Sequence, residues 1–162
     1  MQAYEKPATR YTTWFGAYTD GRFTKVRAIY EEMYAKGFPA YSSPYTFNCS
    51  CVGYWEGALA YTRPYIRFAS FRDFVLKFVN KYHPRPGVIH LCPAYWKRPL
   101  KGTTSQTGIL VHEASHFLDI GVTLDFQYGV DSCKKLAKVD PTKAVSNADS
   151  YEFFVENNPP LE

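Results

Sequence analysis

The chain has little of several features that would place it in other classes of protein. No apolar run approaches the ~18–20 residues of a membrane-spanning helix, so we expect no membrane partner. The 19 Lys and Arg residues are scattered and stand against 15 Asp and Glu residues, which excludes the clustered basic stripe of a nucleic-acid groove. Repeats and low-complexity tracts are absent, and the start of the chain lacks the apolar core of a signal peptide.

The composition is that of one folded domain. The 162 residues are 46% hydrophobic and 18% aromatic, which argues against disorder and allows a proper core. We therefore expect a single domain over residues 1–162, with no functional weight on Met1 or on the terminal Leu161-Glu162, because both are compatible with additions made for expression. The basic run from Tyr95 to Lys101 is interpreted as a solvated loop, so no nucleic-acid partner is expected.

The four cysteines indicate the compartment. They are Cys49, Cys51, Cys92 and Cys133. If the Cys-Ser-Cys segment is extended, its two thiols point to opposite faces and each should pair elsewhere. A structural zinc site would usually show Cys-x-x-Cys knuckles, which this chain lacks. Disulfides are therefore favoured, and they indicate an oxidising compartment. The glycosylation sequon at Asn48 is compatible with secretion.

Apolar spacing predicts the order of the elements. The predicted helices cover residues 20–36, 68–82, 105–119, 127–138 and 147–156. The predicted strands cover residues 46–52, 57–62 and 88–92. A helix, then a sheet, then further helices is the order of an α+β fold.

The stretch with the most chemical information is His112-Glu113-Ala114-Ser115-His116. Residues four apart lie on one face of a helix, so both imidazoles can reach a single Zn²⁺ ion. Glu113 lies beside that face and can take a proton from a water molecule on the metal. His83 and His90 have no ligand spacing and are interpreted as structural.

A catalytic zinc site needs a third protein ligand. The metzincin pattern would require Gly at 119 and His at 122, whereas the chain has Asp119 and Val122, so that class is excluded. The remaining candidates are Asp119, Asp125 and Asp131. Asp119 lies a turn further along the helix than the histidines, where a short carboxylate reaches poorly. Asp125 follows Gly121, where the chain can reverse and fold back over the metal.

The residues after the motif resemble a known family. Gly121 to Gly129 reads Gly-Val-Thr-Leu-Asp-Phe-Gln-Tyr-Gly and resembles the Gly-Thr-x-Asp-x-x-Tyr-Gly element of the aspzincin, or deuterolysin-like, metallopeptidases, with one residue added before Thr123. Other segments resemble the fungal peptidyl-Lys metalloendopeptidases of that family; they are Arg10–Gly16, Phe47–Cys51, His90–Lys97 and Asp140–Phe154. The resemblance covers most of residues 10–158.

The resemblance implies a fold and a metal site. The fold would be zincin-like, with a small, mostly antiparallel sheet packed on helices that include the motif helix. One Zn²⁺ ion per chain would be bound by His112, His116 and Asp125. A carboxylate with two neutral imidazoles leaves the zinc a net positive charge, which lowers the pKa of its water.

The resemblance also implies roles around the metal. Glu113 becomes the general base, and Tyr128 donates a hydrogen bond to the developing oxyanion. Asp149 and Glu152 match the acidic pair that receives a lysine side chain just after the scissile bond. The alternatives are that Tyr128 is a core tyrosine, Asp149 a helix N-cap and Glu152 a solvated charge.

Three departures from the family affect these expectations. A preceding N-terminal segment with a cysteine is missing, so Cys49 would pair with Cys133 or stay free, while Cys51 pairs with Cys92. The stretch from about 63 to 87 is longer than in the fungal enzymes. The spacing between Gly121 and Thr123 is wider by one residue.

We therefore expect a secreted, monomeric zinc endopeptidase that cleaves protein or peptide substrates on the amino side of lysine. Two alternatives stay open. One is a deuterolysin-like protease with broader specificity. The other is a catalytically weak binding or toxin-associated module with the same fold.

Overall fold

The computed structural model describes residues 8–37, 45–51, 57–62 and 87–161. The helices in these residues are α1 (Thr9–Phe15), α2 (Asp20–Ala35), α3 (Gln106–Ser115), α4 (Val130–Val139), α5 (Pro141–Ala144) and α6 (Ala148–Glu156). The strands are β1 (Thr46–Asn48), β2 (Ala60–Thr62) and β3 (Val88–Leu91). The helix predicted over 68–82 and His83 lie outside the described residues. Within the described ranges, no helix is both long enough and apolar enough to cross a membrane.

The described strands form a mixed sheet with the order β1-β3-β2. β1 runs parallel to β3, with Phe47 opposite Ile89, and β2 runs antiparallel to β3, with Tyr61 opposite His90. The α+β prediction is therefore confirmed, and among the described strands the small sheet is mixed, with one parallel and one antiparallel pair. The ring of His90 stacks on Tyr61 at 4.4 Å between centroids, as a structural histidine would.

The core is built around an N-terminal helix that the sequence analysis missed. In α1, Tyr11, Trp14 and Phe15 are buried at helical spacing. Trp14 packs against Phe153 and Phe15 against Tyr151, with ring centroids 5.3 Å and 5.0 Å apart. Since both partners lie on α6, this aromatic cluster fixes the last helix within the core.

The motif helix α3 begins and ends for identifiable reasons. The Ser105 hydroxyl accepts the N–H of Gly108 at 3.0 Å, which is a side-chain N-cap. Beyond Ser115 the carbonyl of Phe117 accepts the N–H groups of Ile120 and Gly121, so the helix ends earlier than the predicted 119. A Cβ at Gly121 would lie 2.7 Å from the Ser115 carbonyl oxygen, so the tight reversal requires glycine there.

The cysteines are only partly as expected. Cys51 and Cys92 form a disulfide that joins the segment after β1 to the end of β3. Of the two alternatives for Cys49, a bond with Cys133 or a free thiol, the structure shows the free thiol: Cys49 is exposed, and Cys133 is also free but fully buried on α4. The sulfur of Cys133 accepts a hydrogen bond from Asn147 Nδ2 at 3.4 Å and forms no disulfide.

Candidate metal centre

The three predicted metal ligands lie close together in the structure. The Nε2 atoms of His112 and His116 lie 3.3 Å and 3.4 Å from the same oxygen, Oδ1 of Asp125. The two histidines come from the end of α3, and Asp125 comes from the segment that follows the Gly121 reversal. One ligand atom from each residue lies within 4.8 Å of the others, so the set is close enough to hold one ion.

The other nitrogen of each imidazole is also engaged. Nδ1 of His116 lies 2.8 Å from the carbonyl oxygen of Thr123, which can only accept a hydrogen bond. Nδ1 of His112 lies 2.6 Å from Oδ1 of Asp149. In the neutral imidazoles, these contacts place the proton on Nδ1 and leave a lone pair on Nε2. Two lone pairs then face a carboxylate oxygen, and positive charge between them, from a proton or a metal cation, would stabilise this arrangement.

The distances agree with zinc. Zn–N bonds of about 2.0–2.1 Å and Zn–O bonds of about 2.0–2.2 Å, at the tetrahedral angle, place neighbouring ligand atoms roughly 3.3–3.5 Å apart. The two distances to Asp125 Oδ1 are 3.3 Å and 3.4 Å. The donor set of two imidazoles and a carboxylate is one that catalytic zinc sites use. The residues present therefore fit a zinc ion.

The electrostatics of the cluster favour positive charge at the same point. Burial lowers the pKa of His112, but hydrogen bonds with Asp125 and Asp149 outweigh burial and raise that pKa well above its usual range. Burial raises the pKa of Asp125, but hydrogen bonds with His112 and His116 hold it well below its usual range. The carboxylates thus stabilise a positive charge, which a proton or a divalent cation can supply.

Glu113 is buried beside the cluster. It is 6% exposed, and burial raises the pKa of its carboxyl while the nearby charges of His112 and His116 oppose that rise. A carboxyl with a raised pKa is better suited to receive a proton than an ordinary exposed glutamate. The position and environment of Glu113 are those that a general base needs.

Tyr128 lies at the open side of the cluster. Its side chain is 63% exposed, so it is not the core tyrosine of the alternative interpretation. Its ring lies 6.3 Å from the ring of His112 and nearly parallel to it. Partial burial, together with the negative charge of Asp125 and a hydrogen bond with it, raises the pKa of Tyr128, so the hydroxyl keeps its proton and can donate it in a hydrogen bond.

The acidic pair of α6 is buried against His112. Asp149 is 6% exposed, and both of its oxygens have partners, since Oδ2 accepts the N–H of Gly129 at 2.7 Å. Glu152 is 4% exposed; its Oε2 lies 3.6 Å from His112 Nδ1, and its Oε1 has no hydrogen-bond partner among the residues that the structure describes. Burial and the charge of Asp149 raise the pKa of Glu152 to about 8. Glu152 is therefore not a solvated surface charge.

The other two carboxylates considered as third ligands lie elsewhere. Asp119 accepts a hydrogen bond from the Tyr45 hydroxyl at 2.9 Å and pairs with Lys36 at 3.3 Å. Asp131 is exposed in the first turn of α4. Of the three candidates, the structure brings only Asp125 to the histidines.

The residues that hold the histidines in place, Ser115 and Thr123, were not predicted to do so from the sequence. Thr123 contacts His116 through its carbonyl, and its hydroxyl lies 2.5 Å from that of Ser115. Both are buried. A residue of this kind could have been expected from the sequence, because a ligand histidine needs a hydrogen-bond acceptor for its second ring nitrogen.

The chain is similar to known metallopeptidases. Residues 72–156 match the model of the aspzincin family, described as lysine-specific metallo-endopeptidase. The chain is 41% identical over 159 residues to a peptidyl-Lys metalloendopeptidase of Grifola frondosa, covering 98% of this chain and 38% of that protein. It is 35% identical over 161 residues to one of Pleurotus ostreatus, covering 99% of this chain and 81% of that protein.

A bacterial relative and a solved structure agree with these matches. An extracellular protease of Aeromonas hydrophila is 35% identical over 159 residues, covering 97% of this chain and 38% of that protein. The solved zinc peptidase from Grifola frondosa superposes with a TM-score of 0.75 at 40% identity, covering 99% of this chain and 83% of that chain. The match over residues 72–156 and the near-complete coverage by these relatives show that the chain belongs to the aspzincin family of metallopeptidases.

Proposed function

We propose that this chain is a zinc endopeptidase that cleaves peptide bonds on the amino side of lysine. The observation that carries the proposal is the convergence of His112 and His116 Nε2 on one oxygen of Asp125, with both Nδ1 atoms already bound to acceptors. We infer one zinc ion per chain, because every proposed ligand comes from a single chain, and we propose that the site works in a monomer, because it needs no residue from a second copy.

The chain's own residues support hydrolysis of an amide. Bound zinc supplies Lewis-acid activation of the carbonyl and of the attacking water. Glu113 accepts the proton that the water loses and can pass it to the leaving amine. The Tyr128 hydroxyl donates a hydrogen bond to the oxyanion, and this contact stabilises the transition state more than the substrate.

Selectivity for lysine is inferred from Glu152. A buried carboxylate oxygen without a partner is costly, and an ammonium group would supply the missing charge and hydrogen bond. Asp149 adds negative charge nearby, but both of its oxygens are already bound, by His112 and Gly129. We therefore assign the direct contact with the lysine side chain to Glu152.

We also propose that the protein acts outside the cell. The Cys51–Cys92 disulfide is the type of bond that persists in oxidising compartments. The Aeromonas relative is named an extracellular protease.

The test is cleavage of a peptide series that differs only at the residue after the scissile bond, with Lys, Arg or Ala there. We expect cleavage before lysine, and we expect Glu152→Gln to reduce the preference for Lys over Ala by roughly 10- to 100-fold, as loss of a charged hydrogen bond would. Unchanged selectivity in Glu152→Gln would show that Glu152 does not contact the lysine side chain. A wild-type protein that cleaves before Ala as well as before Lys would leave the broader, deuterolysin-like specificity as the answer.

The same assay separates an enzyme from a binding module. Glu113→Gln serves as the matched control, because it keeps the shape of the side chain and removes its basicity. Stoichiometric zinc in a wild-type protein that cleaves no better than Glu113→Gln would favour the catalytically weak module.

A further inference from the structure

The segment that carries Asp125 and Tyr128 is held by its backbone. This segment, residues 124–129, is named the ligand loop. At its start, the Leu124 N–H donates to the Ser146 carbonyl at 2.8 Å and the Leu124 carbonyl accepts the Ala148 N–H at 3.0 Å. At its end, the Gly129 N–H donates to Asp149. The loop is thus fastened at both ends to the residues around the start of α6.

The middle of the ligand loop is held by Asn147. Oδ1 of Asn147 accepts the N–H of Gln127 at 2.9 Å. The Cys133 thiol, in turn, lies 3.6 Å from the Gln127 carbonyl oxygen. Gln127 lies between Asp125 and Tyr128, so the contact with Asn147 fixes the backbone between the proposed metal ligand and the proposed oxyanion donor.

The Asn147 amide has two sides with different partners. Its oxygen faces the ligand loop, whereas its Nδ2 donates to Ser150 Oγ at 3.2 Å and to Cys133 Sγ at 3.4 Å. The side chain is completely buried, which allows little freedom to rotate away from these partners. Because its nitrogen is held by Ser150 and Cys133, the amide keeps its oxygen in contact with the N–H of Gln127.

Asp125 and Tyr128 depend on this support, because both are exposed and neither belongs to a helix or strand. A shift of the loop backbone would move Asp125 Oδ1 away from the two histidines. The same shift would move the Tyr128 hydroxyl, so metal binding and oxyanion stabilisation would be lost together.

We propose that Asn147 is a positioning residue that sets the ligand loop for zinc binding and catalysis. The inference rests on the proposed function. Asn147 touches neither the proposed ligands nor the proposed acidic pocket with its amide oxygen, and it acts through Gln127 alone on that side.

The test compares zinc affinity with folding stability in matched variants. Asn147→Ala removes the loop-facing oxygen, and Ser150→Ala removes a partner of the amide nitrogen only. We expect Asn147→Ala to raise the zinc Kd about 10- to 100-fold, as the loss of a residue that supports a ligand does, and to lower kcat more than it raises KM. Ser150→Ala should lower Tm but keep the zinc Kd within about threefold of wild type. The zinc Kd is measured by competition with a chromophoric chelator.

Two further variants keep the test decisive. Asn147→Asp retains the acceptor oxygen and should bind zinc at least as tightly as wild type, although burial of a charge lowers its Tm. Gln127→Pro removes the N–H group that donates to Asn147 Oδ1, at a residue whose side chain is exposed. This variant should weaken zinc binding, and it tests the same hydrogen bond if Asn147→Ala does not fold. Wild-type zinc affinity in folded Asn147→Ala or in Gln127→Pro would overturn the inference. A wild-type protein that binds no zinc would instead overturn the proposed function.

Discussion

Nδ1 of His112 lies 2.6 Å from Oδ1 of Asp149, and both side chains are buried. This contact joins the motif helix α3 to the last helix α6. It also gives Asp149 a task that the resemblance to the family does not imply. Since Gly129 occupies the other oxygen, Asp149 orients the proposed zinc ligand His112 and anchors the ligand loop at the same time.

The contact predicts how Asp149→Asn will behave. The single amide oxygen can accept either from His112 Nδ1 or from the Gly129 N–H but not from both, and the negative charge that favours a positive centre is gone. We expect the zinc Kd to rise about 10- to 100-fold and kcat to fall equally for peptides with Lys or Ala after the scissile bond. Chelator competition and peptide kinetics measure both effects. Glu152→Gln is the control, because it should change the Lys preference instead. Intact zinc binding with a lost Lys preference in Asp149→Asn would return Asp149 to the role of direct lysine acceptor.

Zinc should stabilise the fold by an amount that grows with the logarithm of its free concentration relative to Kd. An ion that binds only the native state, at about 100 times its Kd, stabilises it by about 2.7 kcal/mol. For a chain of this size, each kcal/mol raises Tm by about 2–4 °C. We therefore expect the Tm of chelator-treated protein to rise by roughly 5–11 °C when zinc is restored.

The matched control for this effect is Asp125→Ala. Asp125 is exposed, so its removal should leave the folded core intact while it takes away one ligand. The zinc-dependent rise in Tm should shrink strongly in this variant, and Mg²⁺ should not replace zinc in either protein. An equal rise in wild type and Asp125→Ala would show that the ion binds elsewhere.

The parts of the site that could be predicted from the sequence are those that depend only on local backbone geometry. The i, i+4 spacing of His112 and His116 follows from the helical repeat alone, and the reversal at Gly121 is a local backbone requirement. The choice of Asp125 needed the family resemblance, because spacing alone left three aspartates open. In the structure the other two lie elsewhere: Asp119 is paired with Lys36 and Tyr45, and Asp131 is exposed in the first turn of α4.

The parts that sequence did not predict depend on contacts between distant segments. The spacing of Asp149 and Glu152 indicated a shared helix face, but the use of both Asp149 oxygens depends on how α6 packs against α3 and the ligand loop. For the buried Cys133 the sequence offered only Cys49 as a possible partner, whereas its partners in the structure are an amide and a carbonyl from other segments. The parallel pairing of β1 with β3 likewise cannot be read from strand periodicity, which is the same in either direction.

The N-terminus of α3 contacts the end of the last helix, α6. The Glu156 carboxylate at the end of α6 accepts the N–H groups of Thr104 and Ser105 at 3.0 Å and 2.6 Å, as well as the Ser105 hydroxyl. It thus supplies negative charge to a helix whose own first turn has no acidic residue. A Cβ at Gly108 would lie 2.2 Å from Glu156 Oε1, so Gly108 leaves the room that this carboxylate needs.

Gly108→Ala should therefore destabilise the protein, although alanine is intrinsically the better helix former by about 1 kcal/mol. We expect a net loss of about 1–3 kcal/mol, because the displaced carboxylate leaves N–H groups without an acceptor. Denaturant unfolding of Gly108→Ala, Glu156→Ala and the double variant measures the coupling. The double variant should lose less than the sum of the two single losses, since only one of the changes is needed to break the contact. A Gly108→Ala protein that is more stable than wild type would show that Glu156 moves aside at no cost and that helix propensity dominates at this position.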